Sequence, residues 1–259
     1  EHAAGWAAAR LVEDARQQVA DLIGATPREI VFTSGATEAN NLALLGLTRA
    51  FGRGGRRHLV TSDLEHPSVA EPLRHLETEG WRVTRVAAGA DGVIDAGDVE
   101  RAVEDQTLLV SLIAAQNEIG TIQPMAEVGR LCKRRGVFLH SDAVQAASTQ
   151  PCDVQRDGVD LLVLSAHKLY GPKGIGALYV RRRDPRVRLA PLLLGGGQER
   201  GLRAGTLNVP AIVAFGDACR LAGSEAAADA VRLRALRERL WRDLQHELSD
   251  IQLNGDAQR

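Results

Sequence analysis

Lys168 and Lys173 stand within one short stretch, "SAHKLYGPKGIG", and only Lys133 adds a third lysine to the chain. The other 29 of its 32 basic Lys and Arg residues are arginines. Arginine holds its proton too tightly to act as a nucleophile, whereas a desolvated lysine can lose its proton and condense with an aldehyde. A chain that writes charge as arginine therefore marks its lysines as candidates for amine chemistry. Lys168 directly follows the apolar run "DLLVLSAHK", and Lys173 lies in a glycine-proline loop expected to be the more exposed. Lys168 is the candidate nucleophile, and a surface role is the alternative for either.

Two further groups bear on the same chemistry. Asp142, in "HSDAVQ", closes an apolar run, where a carboxylate can pair with a cation, bind a metal, hydrogen-bond a ring N–H, or simply cap the next turn. His140 alternates with it and shares its strand face, but no third ligand at metal-binding spacing is identifiable. The turn "SGAT" (34–37) ends a strand and opens a helix. Free backbone N–H groups and the helix dipole make such a turn an anion site, and a plain N-cap is the competing reading. It is neither a Walker A loop nor GxGxxG. An amine, a carboxylate for a ring nitrogen and a phosphate cup together match the needs of pyridoxal 5'-phosphate.

These groups need a frame. Short Val/Ile/Leu-rich runs at 29–34, 58–63, 82–88, 107–115, 137–143, 160–166 and 176–182 predict seven strands. Helical patterns at 37–52, 66–80, 98–106 and 124–136 separate most of them. Strands apolar on both faces with helices between them predict an α/β fold, with a mainly parallel sheet covered on both sides. The glycine loop before 176–182 makes one antiparallel pair plausible. Ligands of such sheets gather at the carboxyl ends of the strands. The loops there, "TSGATEANN", "SDLEHPS", "AAQNEIGT", "HSDAVQ" and "SAHKLYGPKG", are all polar.

Composition narrows the function classes. The formal net charge is −1 over 259 residues, and no basic stripe with interleaved aromatics points to nucleic acid. The longest apolar runs reach about nine residues against the roughly 20 that span a bilayer, so no membrane partner is expected. The opening stretch is amphipathic with early acidic residues, unlike a secretory signal, and reads as a helix that begins in mid-protein. Cys132, Cys152 and Cys219 form neither a CxxC pair nor an even disulfide set. Cys132 and Cys219 fall in helical patterns as buried apolar residues, and Cys152 falls in a loop. A reducing compartment, the cytoplasm, is expected.

The segments "TSGATEANN", "EHPSV", "QNEIGTIQP", "HSDAVQ", "SAHKLYGPKGIGALYVRR" and "GGGQERGLRAGTLNV", taken in order, resemble the cysteine desulfurase family. That family lies in the class V aminotransferase group of fold-type I pyridoxal phosphate enzymes. The resemblance implies that Lys168 bonds to the cofactor's aldehyde and that Asp142 holds the ring nitrogen protonated. It implies that His66 stacks on the ring and moves protons. Ala36 and Thr37, with Ser165 and His167, would cradle the phosphate, and Asn117 and Gln145 would bond near the phenolic oxygen and the substrate. Thr206 would reach the phosphate of a neighbouring subunit, which implies a homodimer. The implied reaction takes sulfur from L-cysteine, leaves alanine, and passes a cysteine persulfide to a sulfur-acceptor protein for iron–sulfur or thiolated products.

The resemblance also places the persulfide cysteine in a Ser/Gly-rich loop downstream of "RAGT", and none of the three cysteines lies in such a loop. The expectation is a cofactor-binding core cut at both edges, with little sulfur transfer of its own. Residues 1–224 would form the large cofactor domain. Residues 225–259 would begin a small C-terminal domain with a charged helix and a strand at "IQLNG". Another class V enzyme, such as a selenocysteine lyase or an aminotransferase, and a non-enzymatic scaffold of the same fold are the alternatives.

Overall fold

The structure is a computed structural model that describes residues 2–52 and 54–258. All seven expected strands form, in one sheet of order β1-β7-β6-β5-β4-β2-β3. They are β1 Ile30–Thr33, β2 His58–Ser62, β3 Arg82–Val86, β4 Thr107–Ile113, β5 Phe138–Asp142, β6 Leu161–Ser165 and β7 Gly176–Val180. The run from β3 through β6 is parallel. β7 is antiparallel to both its neighbours, β6 and β1, so the glycine loop produces two antiparallel pairings.

The helices are α1 Ala3–Leu22, α2 Ala36–Phe51, α3 Pro67–Thr78, α4 Ala96–Ala102, α5 Met125–Arg135 and α6 Val209–Glu247. They divide the core into two layers. On one face, residues such as Val19, Val128, Cys132 and Phe215 from α1, α5 and α6 pack against Val110, Leu139 and Leu164. On the other, Leu42, Leu47, Val69 and Leu73 from α2 and α3 pack against Val31, Leu109 and Val163. Every residue of β4 is buried because helices cover both faces, which is why this strand reads as an unbroken apolar run. β3 lies at the edge and keeps Arg82 and Arg85 exposed, which discourages further pairing.

One local expectation fails. Residues 251–255 form no strand. They have no sheet edge to join; Gly255 lies against Ile119, and Arg237 bonds the Ala257 carbonyl. An isolated strand has nothing to satisfy its backbone groups. The position 224/225, expected to separate two domains, falls inside α6, which runs unbroken for 39 residues. Its first part buries Ile212, Phe215 and Cys219, and its second part leaves Val231, Leu236 and Leu240 exposed.

Candidate active site

The carboxyl ends of β1, β4, β5 and β6 surround a cavity of about 430 Å³. Ala36, Thr37, His66, Asn117, Asp142, Gln145, His167 and Lys168 line it, together with Ser34, Glu38 and Lys173. Eight of the ten candidate residues are therefore brought together, from five separate segments of the chain.

Asp142 is the last residue of β5 and is only 4% exposed. Its Oδ1 accepts from the Val144 N–H at 3.1 Å and its Oδ2 from Asn40 Nδ2 at 2.8 Å. Burial pushes this carboxyl above its ordinary range, while Asn40, the Val144 N–H and the nearby His66 pull against that shift. Asn40 reaches it from α2, one helical turn beyond Ala36, and also donates to Ser68 Oγ at 2.9 Å. Asn40 Oδ1 is buried and has no partner among the described residues.

His66 is the N-cap of α3, so the structural and the functional readings of this residue coexist. Its Nδ1 accepts from the Ser68 N–H at 3.1 Å and lies 2.8 Å from Ser68 Oγ. With Nδ1 used as an acceptor, the neutral ring carries its proton on Nε2. One continuous chain of hydrogen bonds thus runs from His66 through Ser68 and Asn40 to Asp142.

At the opposite wall, α2 begins with Gly35 as N-cap, and no side chain caps it. Gly35 has φ 152° and ψ −179°, a conformation open essentially only to glycine. Behind it, a Cβ on Gly176 would fall 2.8 Å from the Gly35 carbonyl carbon and 2.7 Å from the Leu164 carbonyl oxygen. The two glycines let the "SGAT" turn sit directly on β7, with the helix N–H groups open to the cavity. Glu38 folds back on this turn. Burial raises its carboxyl, but Arg203 at 2.9 Å and the Ser34 N–H outweigh that and hold it below the ordinary range.

Lys168 ends a short 3-10 turn, Ala166–Lys168, that follows β6. Both Lys168 and Lys173 are exposed in this chain and both line the cavity, so Lys173 does not stand apart on the surface as expected. Ser165 is buried beneath them and its Oγ lies 2.9 Å from His167 Nδ1. Thr206 lies outside this cavity and is exposed, on a loop anchored by the Arg203–Glu38 pair.

His140 shares the face of Asp142 but is buried in the sheet, bonded to Ser111 Oγ at 2.8 Å and held neutral with a value near 3. Among the described residues no group of three His, Cys, Asp or Glu side chains could hold a metal ion. None of the three cysteines lines the cavity. Burial pushes the thiols of Cys132 and Cys152 up to about 12 and raises that of Cys219 as well. Cys152 is half-buried rather than a surface thiol.

Glu38 and Ser68, which line the cavity, and Asn40, which holds Asp142, are residues that sequence reasoning passed over. For Asn40 a signal existed: it follows Ala36 by one turn of an amphipathic helix, so it faces the same side. Ser68 was visible only as the residue after the helix-starting Pro67.

Fold and cavity together define a class. The family profile "Aminotransferase class-V" matches residues 1–259, and the chain belongs to that family. Within it, the chain is 52% identical over 259 residues to "Cysteine desulfurase, mitochondrial" of Arthroderma benhamiae, covering all of this chain and 51% of that one. It is 48% identical over 257 residues to "Cysteine desulfurase IscS" of Escherichia coli, covering 99% of this chain and 63% of that one. Among solved structures it superposes on DndA from Streptomyces lividans with a TM-score of 0.92 at 42% identity, over 98% of this chain and 72% of that one. A second structure, described as SspA in complex with cysteine, gives a TM-score of 0.80 at 42% identity, over 85% of this chain and 62% of that one. The chain spans between 51% and 63% of the lengths of these two curated relatives.

Proposed function

We propose that this chain is the pyridoxal phosphate-binding part of a cysteine desulfurase. The observation that carries the reading is the placement of a buried carboxylate, Asp142, in the same cavity as an uncapped helix N-terminus and the Lys168 amine. The residues present fit the cofactor. The open N–H groups of Ala36 and Thr37 suit its phosphate, with His167 braced by Ser165 beside them. Asp142, fixed by two donors, suits its ring N–H.

When bound, pyridoxal phosphate supplies an electron sink for the bonds of an amino-acid substrate. The chain's own residues do the rest. Lys168 presents the amine that holds the cofactor's aldehyde. Asp142 keeps the ring nitrogen protonated by pairing a negative charge with it. His66 would face the ring with its Nε2–H available for proton transfer. Asn117 and Gln145, which line the same cavity, would hydrogen-bond near the phenolic oxygen and orient the substrate. Thr206, on its exposed loop, serves the phosphate of a second copy, so the working unit is a homodimer.

The substrate is L-cysteine, the products are alanine and an enzyme persulfide, and a sulfur-acceptor protein receives the sulfur for iron–sulfur or thio-cofactor synthesis. The names of the relatives and the cysteine complex among the structural neighbours support this choice. Cys132, Cys152 and Cys219 are protonated and away from the cavity, so the sulfur-accepting thiol is none of these three. Residues 225–259 begin a second, smaller domain, and the exposed apolar side chains of late α6 support this division. No described helix is long and apolar enough to cross a membrane. Three unpaired thiols support a reducing compartment, read as the cytoplasm.

The test is spectroscopic and chemical. The protein with pyridoxal phosphate should show the visible absorbance of a lysine-bound cofactor and, at full length, form alanine from L-cysteine without any keto acid. Binding without alanine formation, or transamination that depends on a keto acid, would replace desulfuration with another class V reaction.

A further inference from the structure

Glu65 immediately precedes His66 and has no part in the chemistry above. β2 pairs with β4 as far as Thr61 opposite Ser111, after which the chain turns away and leaves the next β4 donor, Ile113 N–H, without a strand partner. Glu65 Oε1 takes that place, accepting from Ile113 N–H at 2.9 Å and from Ser62 Oγ at 2.6 Å. Its Oε2 is buried and has no hydrogen-bond partner among the described residues. Ile113 lines the cofactor cavity and stands opposite Asp142 in the β4–β5 register.

We propose that Glu65 is a positioning residue that works as a neutral carboxylic acid. It pins the segment carrying His66 to the end of β4. The inference rests on the pyridoxal phosphate reading of this cavity. An ionised Glu65 would put charge on an oxygen with no donor, in an interior where unpaired charge is costly. The groups facing it are Ser62 from β2, Ile113 N–H from β4, Asp142 from β5, and its chain neighbour His66, whose Nδ1 is turned to Ser68. Burial pushes the Glu65 carboxyl up to about 8, the Ser62 and Ile113 bonds oppose this, and the charge of Asp142 adds to it.

The linkage has a definite sign. Folded Glu65 keeps its proton up to about pH 8, whereas the unfolded chain releases it near pH 4.5. Its contribution to stability is therefore fully present below about pH 4.5, falls tenfold in the folding constant per pH unit above that, and levels off beyond about pH 8. Glu65→Gln keeps the shape without the proton equilibrium, and Glu65→Ala removes the pin.

The experiment follows urea unfolding of the full-length protein from pH 6 to pH 9, with and without pyridoxal phosphate, alongside cofactor titration. The ratio of the E65Q folding constant to that of the unsubstituted protein should rise roughly 50-fold between pH 6 and pH 8. E65Q should also bind the cofactor at least about tenfold more tightly than E65A. Parallel pH profiles for E65Q and the unsubstituted protein, or equal loss of binding in E65Q and E65A, would overturn the proposal. Should E65A not fold, the E65Q profile decides alone. Should the unsubstituted protein bind no pyridoxal phosphate, the cofactor reading fails, and the cofactor-free pH profiles still judge Glu65.

Discussion

Asn40 Nδ2 lies 2.8 Å from Asp142 Oδ2, joining the start of α2 to the end of β5 across 102 residues of sequence. The same amide nitrogen donates to Ser68 Oγ, which in turn lies on His66 Nδ1. One side chain therefore fixes both the carboxylate proposed for the ring nitrogen and the imidazole proposed for the ring face. Replacing it by Ala should leave the buried Asp142 Oδ2 without its donor and cost about 1–3 kcal/mol in urea unfolding. Cofactor binding should weaken in parallel. Unchanged stability would show that Asn40 is not what holds Asp142.

Asp142→Asn keeps the shape of the side chain and removes its charge. The fold should survive, because the Val144 N–H and Asn40 contacts can be partly kept. Turnover of L-cysteine should fall by about 10²-fold or more, the scale of removing a preorganised electrostatic contact. Steady-state rates with saturating cofactor measure this, and a loss below tenfold would contradict the ring-nitrogen role.

Lys168 and Lys173 both line the cavity, so position alone does not separate them. Lys168→Ala should abolish the visible absorbance of bound cofactor. Lys173→Ala should leave that absorbance in place and weaken binding by no more than about 1 kcal/mol, as expected for an exposed charge. Absorbance that persists in the first variant and vanishes in the second would reverse the assignment.

Gly176→Ala would drive a methyl group into the backbone of Gly35 and Leu164, at 2.8 and 2.7 Å. A cost of about 1–3 kcal/mol is expected from such overpacking. Because Gly35 carries the "SGAT" turn, the affinity for pyridoxal phosphate should fall as well. Calorimetric binding and thermal unfolding of the variant test the two effects separately.

Arg16 and Glu199 form a buried pair, with Arg16 Nη2 2.7 Å from Glu199 Oε1, and Glu199 Oε2 also accepts from the Phe32 N–H. Arg16→Met should cost about 3–5 kcal/mol, because it strands a buried carboxylate. Replacing both partners with apolar residues should recover much of that loss. Urea denaturation of the single and double variants provides the comparison.

Much of the frame was legible in the chain. The central strands are buried on both faces, so their sequences are continuous apolar runs, and all seven appear where those runs lie. The strand expected at 251–255 failed because an apolar pair of residues says nothing about whether a partner edge is within reach. α6 begins at Val209, ahead of the charged helix expected after residue 225, because helical periodicity does not register where burial stops.

By itself the sequence determined which chemistry was available: lysine among arginines, an aspartate ending an apolar run, and a glycine turn opening a helix. Those are properties of residue type and of local order, and both survive without a fold. Only the tertiary structure decided the company these residues keep. It put Lys173 in the cavity beside Lys168, left Thr206 outside it, set Asn40 on Asp142, and closed Glu65 over the end of β4. Contacts of that kind join strands and helices far apart in the chain. Burial and hydrogen-bond pairing across the sheet determine them, and neither quantity is written into any local stretch.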